Sequence, residues 1–240
     1  MRLDRYLTLC DLGTRKQVKE LISKGRVTID GRTVKDAGAA VKGEVKLDGK
    51  PVSYRPIVAV AMNKPAGLLT ATTDRKRGTV LDLLPESDRR REPAPVGRLD
   101  KDTTGLLFIT DDGQAAHALI SPKSGVDKRY RALLDAPVTK ADIEAFAQGL
   151  SLSDFDALPA LLEPGEGCIA YCTVHEGKFH QVKRMFAVRG KTVLELHRER
   201  VGSFWLPDDL APGEYIYLDM ETWNRLRAEA GLGLWENENK

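Results

Sequence analysis

Apolar residues recur along this chain with two different periods, and the switches between them mark out its elements. Leu3, Tyr6, Leu7 and Cys10 fall three and four residues apart, which predicts a helix over residues 2–10. A second helix follows: Thr14 with Gln17 three positions on makes a capping-box pair, and Gly25 supplies a left-handed stop. Residues 26–34 and 45–52 then read as hairpins turning at Asp30-Gly31 and Asp48-Gly49. Two helices and two hairpins complete a compact unit near residue 55, with Tyr54-Arg55-Pro56 as the link.

Beyond the link the pattern predicts strands over residues 57–62, 104–110, 130–134, 168–175 and 192–196. A turn falls at residues 63–67 and a basic polar loop at 73–78. Helices are expected over residues 114–120, from a Thr139 cap to Gly149, over 179–188 with Val182, Met185 and Phe186 on one face, and over 221–230 before a polar tail. Strands and helices are interspersed without regular βαβ alternation. That order predicts an α+β fold: residues 56–240 form a mostly antiparallel mixed sheet with helices, and residues 1–55 a small α/β domain.

Composition changes this picture little, but charge distribution does. A hydrophobic content of 42% with 30% charged residues is that of an ordinary soluble protein. No run approaches the length of a membrane span, and the N-terminal Met-Arg-Leu-Asp-Arg-Tyr lacks the apolar core of a signal peptide. The net charge of +2 is unevenly divided: residues 1–55 carry 13 Lys and Arg against 7 Asp and Glu. A basic module on a mildly acidic body suits a grip on a polyanion. Three cysteines are too few and too oddly placed for a disulfide framework or a zinc site. The alternating run from Cys168 to Val174 makes Cys168 and Cys172 buried strand residues in a reducing compartment.

The densest chemistry lies in residues 97–113, where Asp100, Asp102 and the pair Asp111-Asp112 surround an apolar strand. The spacing from Asp100 to Asp111 approaches that of a calcium-binding EF-hand loop. Its flanks do not, because Pro93-Ala94-Pro95 precedes the turn and a strand, not a helix, runs through it. Asp100-x-Asp102-x-Thr104 also matches the aspartate-nucleophile signature of haloacid-dehalogenase-type phosphatases, but the second acidic pair follows too soon. Asp111 and Asp112 read as surface-turn residues that cap backbone amides. No Walker or dinucleotide glycine pattern occurs.

Two sets of motifs identify relatives. Arg2-Leu3-Asp4-Arg5-Tyr6-Leu7, Gly13-Thr14-Arg15-Lys16 and Gly25 to Gly31 resemble the alpha-L RNA-binding motif, the module named after ribosomal small-subunit protein four. That resemblance implies phosphate contacts at Arg2, Arg15, Lys16, Lys19, Lys24 and Arg26. Further on, Met62 to Gly67, Gly97-Arg98-Leu99-Asp100, Lys128-Arg129-Tyr130 and Glu176 to Met185 occur in the order seen in pseudouridine synthases, most closely the ribosomal small-subunit type.

This second resemblance implies an isomerase that detaches uracil from its ribose, rotates it and rejoins it through a ring carbon, with no metal and no cofactor. Asp100 would be the catalytic acid–base or nucleophile, Tyr130 the residue stacking on the flipped base, and Lys183 the cation paired with Asp100. Arg98 would be a wedge or phosphate contact as the base leaves its stack. His180 and Gln181 would only orient the motif, and Asp102 would be structural. The expected substrate is one uridine of 16S rRNA, free or in a ribosome-assembly intermediate, handled by a cytoplasmic monomer. A 23S uridine is the alternative target, and a non-catalytic RNA-binding assembly factor is the alternative function.

Overall fold

The computed structural model describes residues 1–10, 12–52 and 54–235, so the end of the polar tail lies outside the described residues. The chain divides into two compact units, Met1–Pro56 and Ile57–Lys240. In the first, helices α1 (Leu3–Leu9) and α2 (Arg15–Ser23) pack on strands β1 (Val27–Ile29), β2 (Arg32–Thr33), β3 (Val45–Leu47) and β4 (Lys50–Val52). The strands form an antiparallel sheet in the order β2-β1-β3-β4.

Local chemistry accounts for these elements. Thr14 and Gln17 make the reciprocal capping box, and Gly25 stops α2 with φ +70°. Asp30-Gly31 and Asp48-Gly49 all have positive φ, as a two-residue hairpin turn with matching twist requires. Leu3 and Leu7 of α1 meet Val18 and Ile22 of α2 over Val27 and Val45, all buried. The Tyr6 hydroxyl donates to the Val52 carbonyl at 2.9 Å and fastens α1 to the end of β4.

The second unit contains β5 (Ala59–Lys64), α3 (Glu86–Arg89), β6 (Ala94–Pro95), β7 (Thr104–Thr110), α4 (Gly113–Ile120), β8 (Lys128–Leu134) and α5 (Lys140–Gln148). The chain continues through β9 (Leu150–Ser151), β10 (Asp156–Ala157), β11 (Leu161–Pro164), β12 (Ile169–Val174), α6 (Gln181–Val188), β13 (Val193–Val201), β14 (Phe204–Trp205), β15 (Tyr215–Tyr217) and α7 (Met220–Glu229). The main sheet runs β11-β12-β8-β13-β7-β5-β15, with β14 on β13 and β6 on β7. Its named pairs are antiparallel except β13 beside β7, so the sheet is mixed and mostly antiparallel.

β5 and β7 lie at the centre of a three-layer stack and are buried on both faces, which is why their sequences read as nearly unbroken apolar runs. On one face Val60, Met62, Leu107 and Ile109 share a core with Phe146 of α5 and Met185 and Phe186 of α6. On the other, Ala61, Leu106 and Phe108 pack with Ala115 and Leu119 of α4 and Trp223 and Leu226 of α7.

Several elements depart from the sequence expectation. β13 extends to Val201 rather than ending at residue 196, because charged side chains occupy a strand whose neighbours can satisfy them. β8 starts at Lys128, which is buried. Cys172 is a buried strand residue, but Cys168 precedes the strand and is only half-buried. Asp112 caps α4 by accepting from the Ala115 amide, yet it does not lie on the surface. The residue is 7% exposed, and its carboxylate pairs with Arg227 and accepts from Trp223 Nε1 at 3.0 Å. Asp111 accepts from the Val58 amide and pairs with Arg91 at 2.6 Å, which ties the end of β7 back to the start of β5.

Candidate active site

A tight turn ahead of β7 carries Asp100, and the backbone around it is braced from below. The Thr103 amide donates to the Asp100 carbonyl at 3.1 Å, closing the turn. Lys64, at the end of β5 and wholly buried, donates to the carbonyls of Pro65, Lys101 and Thr103. Burial lowers its ammonium to about 8, against the attraction of Asp102 and Asp100. Thr70 Oγ1 donates to the Leu99 carbonyl at 2.8 Å. Gly105 has φ +99°, and a Cβ there would sit 2.3 Å from the Arg198 carbonyl oxygen. Only glycine lets β7 come this close to β13 at the foot of the turn.

Two groups from a distant segment converge on the carboxylate. Lys183, in the first turn of α6, places Nζ 3.1 Å from Asp100 Oδ2 and 2.7 Å from Asp102 Oδ1. His180 places Nε2 3.2 Å from Asp100 Oδ1. Burial lowers the Lys183 ammonium, but its hydrogen bonds to Asp102 and Asp100 outweigh that and raise it. The Lys183 hydrogen bond holds the Asp102 carboxyl below its usual range.

The cleft beside Asp100 is lined by Arg98, Tyr130, Glu176, His180, Val182 and Leu196, among others. The four expected site residues therefore meet: Arg98, Asp100 and Tyr130 in the cleft wall, with Lys183 on the Asp100 carboxylate. Arg98 is exposed and Tyr130 nearly buried, so the first can reach outward and the second offers a fixed ring. Arg198, antiparallel partner of Tyr130, holds its guanidinium carbon 5.9 Å from the tyrosine ring centre and donates from Nε to the Leu106 carbonyl at 2.7 Å. A larger groove of about 540 Å³ lies by Arg129, Tyr171, His197 and Trp205. Arg129 and His197 alternate with Tyr130 and Leu196 along β8 and β13, so that groove opens on the other side of the sheet.

Sequence reasoning gave no role to two contributors here, Lys64 and Arg198, and gave His180 only the orienting of its motif. His180 was expected inside the helix over residues 179–188, but the helix begins at Gln181. His180 instead adopts φ 51° and turns its imidazole onto Asp100. Lys183 and Arg184 on the first turn of α6 are also engaged, Lys183 with Asp100 and Arg184 with Asp154. Arg198 had a legible signal in its position two residues after Leu196 on an alternating strand. Among the described residues no cluster of three or more His, Cys, Asp and Glu side chains could hold a metal ion.

Of the six basic residues expected to meet RNA, three are paired within the first unit: Arg2 with Asp4, Lys24 with Glu20 and Arg26 with Asp48. Arg15, Lys16 and Lys19 stand exposed on α2 with no ion pair among the described residues.

A braced carboxylate turn on a mixed sheet, with a nearly buried tyrosine in its cleft wall and a small basic unit preceding it in the chain, fits an RNA-modifying enzyme of the pseudouridine synthase class. Sequence profiles agree: the one described as RNA pseudouridylate synthase matches residues 58–188, and that of the S4 domain matches residues 1–46. The chain belongs to the RNA pseudouridine synthase family. It is 42% identical to ribosomal small subunit pseudouridine synthase A of Escherichia coli (strain K12), covering 92% of this chain and 97% of that one. It is equally 42% identical to the uncharacterized RNA pseudouridine synthase YtzG of Bacillus subtilis, covering 92% and 96%. A crystal structure of a pseudouridylate synthase superposes with a TM-score of 0.67 at 32% identity, covering 94% of this chain and 99% of that one.

Proposed function

We propose that this enzyme converts one uridine of 16S rRNA to pseudouridine, with Asp100 as the catalytic group. The observation that carries this reading is the Asp100 carboxylate, with Lys183 on one oxygen and His180 on the other, in a cleft walled by Tyr130. The reaction breaks the N1–C1′ bond, forms a C5–C1′ bond and moves the C5 proton to N1, so atoms and electrons balance without an outside reactant.

Asp100 attacks the sugar or removes a sugar proton, and either role needs its ionised form. Closure of RNA over the cleft would strip water from that carboxylate, and the Lys183 ammonium, 3.1 Å from Oδ2, would remain as its counter-charge. A base inside a helix is out of reach, so the target nucleotide leaves its stack. Tyr130 then stacks on the uracil, and the exposed Arg98 fills the gap or holds a phosphate. The first unit grips folded RNA through the cationic face of α2.

The 16S target rests on relatives named ribosomal small subunit pseudouridine synthase A. Work on ribosomal RNA or an assembly intermediate implies a cytoplasmic enzyme, and one chain carrying both units suits a monomer. The test is pseudouridine mapping by carbodiimide-dependent primer extension on 16S and 23S rRNA from cells with and without the protein. A single 16S stop should vanish without it and return with the wild-type chain but not with Asp100→Asn. A stop lost from 23S instead would move the target to the large subunit. An unchanged map would favour a non-catalytic assembly factor.

A further inference from the structure

Phe179 and His180 form a two-ring stack beside the cleft, with centroids 3.7 Å apart and planes 20° apart. The inner ring is fixed. His180 holds a left-handed backbone conformation that few non-glycine residues adopt, and its imidazole lies on Asp100. The outer ring is bare: Phe179 is 69% exposed although one of its faces already rests on the imidazole. The core makes no use of it, since α6 buries Val182, Met185 and Phe186 instead.

A single exposed apolar side chain is ordinary in a soluble protein. This one is set apart by its mounting and its neighbours. Its backing ring is the group that touches Asp100, so its position is tied to the reactive carboxylate. Arg98 and His180 line the cleft; Lys178, which precedes Phe179, lines it too, but its ammonium rests over the Phe155 ring at 4.1 Å and pairs with Glu176 at 3.6 Å. An open aromatic face beside a cleft whose wall carries an exposed arginine is an arrangement that holds unpaired nucleotides: the ring takes a base by stacking and the cation takes a phosphate.

We propose that the open face of Phe179 is a stacking subsite for the RNA base adjacent to the target uridine. When the uridine leaves its stack, the neighbouring base loses a partner on one side. Phe179 replaces that partner at a fixed distance from Asp100 and so sets which nucleotide enters the cleft. The subsite reads no base identity, because every base has a π face. The proposal rests on Asp100 being the reactive group.

The test uses the full chain and a synthetic RNA spanning the mapped uridine, with 2-aminopurine replacing each flanking nucleotide in turn. In the Asp100→Asn background, binding should quench fluorescence at one flanking position. Adding Phe179→Ala should abolish that quench, and Phe179→Tyr should keep it. With Asp100 intact, Phe179→Ala should raise KM about tenfold to hundredfold with little change in kcat. Phe179→Tyr should restore KM, and the melting temperature should not move, since an exposed ring adds little to the fold. Quench at neither position, or quench and KM both unchanged in Phe179→Ala, would overturn the subsite and leave Asp100 untouched. An active Asp100→Asn enzyme would instead remove the catalytic reading, whatever Phe179 does.

Discussion

Lys183 Nζ lies 3.1 Å from Asp100 Oδ2, although the two residues come from segments far apart in the chain. The same ammonium also takes Asp102, whose side chain is 76% exposed, so one cation serves two carboxylates of unequal standing. Only Asp100 faces the cleft. Lys183→Met should lower kcat by about 10²–10³, the scale for removing one preorganised electrostatic partner. Lys183→Arg should keep most of the rate, and Asp102→Asn should cost less than about tenfold. Release of tritium from RNA labelled at uridine C5 reads each directly, because that hydrogen leaves carbon in the reaction. Equal losses for Asp102→Asn and Lys183→Met would contradict the unequal roles.

Lys128 is 5% exposed, and its Nζ has no hydrogen-bond partner among the described residues. Burial, reinforced by Arg198, pushes its ammonium down to about 8 from an ordinary 10.5. Below pH 8 the fold carries the cost of a buried charge. As pH rises from 8 to 10.5 the folded state has shed a proton that the unfolded chain still holds, so stability rises. Lys64, lowered to about 8 by burial, acts with the same sign. Lys128→Met should therefore stabilise the protein by about 2–3 kcal/mol at pH 7. The gain should shrink above pH 8 and vanish near 10.5. Urea unfolding at pH 7, 9 and 10 measures it, and a gain independent of pH would rule out this origin.

How much of this could be read from residues alone depends on where the determining forces act. The Asp30-Gly31 and Asp48-Gly49 turns and the Thr14–Gln17 cap are local, and they stand where expected. The continuous apolar runs of β5 and β7 announce strands covered on both faces. β15 escaped notice because Tyr215-Ile216-Tyr217 is a short edge strand with no alternation long enough to show. The far half of β13 looked polar because Arg198 finds its partners on β7 and β8, which no local pattern reveals. In the site, Asp100, Tyr130 and Lys183 were nameable from separated motifs, but the contact of His180 with Asp100 was not. It depends on a left-handed backbone at one residue, where the pattern continued a helix.

Asp112 and Arg227 form an ion pair in which both residues are almost fully buried, at 7% and 5% exposure. It links the cap of α4 to α7, the two helices covering one face of the sheet. Desolvation makes such a pair a weak net stabiliser, but removing one partner leaves a buried charge uncompensated. Arg227→Met should cost about 3–5 kcal/mol. Asp112→Asn/Arg227→Met together should recover part of that loss, since neither charge then remains. Thermal unfolding of the two variants checks both. A double variant no better than the single would mean that packing around Arg227, rather than charge, holds the two helices.

RNA binding by the first unit should depend on which of its cations are already taken. Arg15, Lys16 and Lys19 lie within five positions of α2 and have no ion pair among the described residues. Arg2, Lys24 and Arg26 each hold a carboxylate, which must be released or tolerated before a phosphate can bind. Each phosphate contact contributes about 0.7–0.9 to the slope of log affinity against log salt. Replacing Arg15, Lys16 and Lys19 by Gln should therefore flatten that slope by about 2–3 for a structured rRNA fragment. The same change at Arg2, Lys24 and Arg26 should flatten it less, because the freed Asp4, Glu20 and Asp48 also alter the local field. Fluorescence anisotropy of the labelled fragment across a salt series separates the two sets. Equal flattening would show that the intramolecular pairs open freely on RNA, and the distinction between free and engaged cations would then carry no weight.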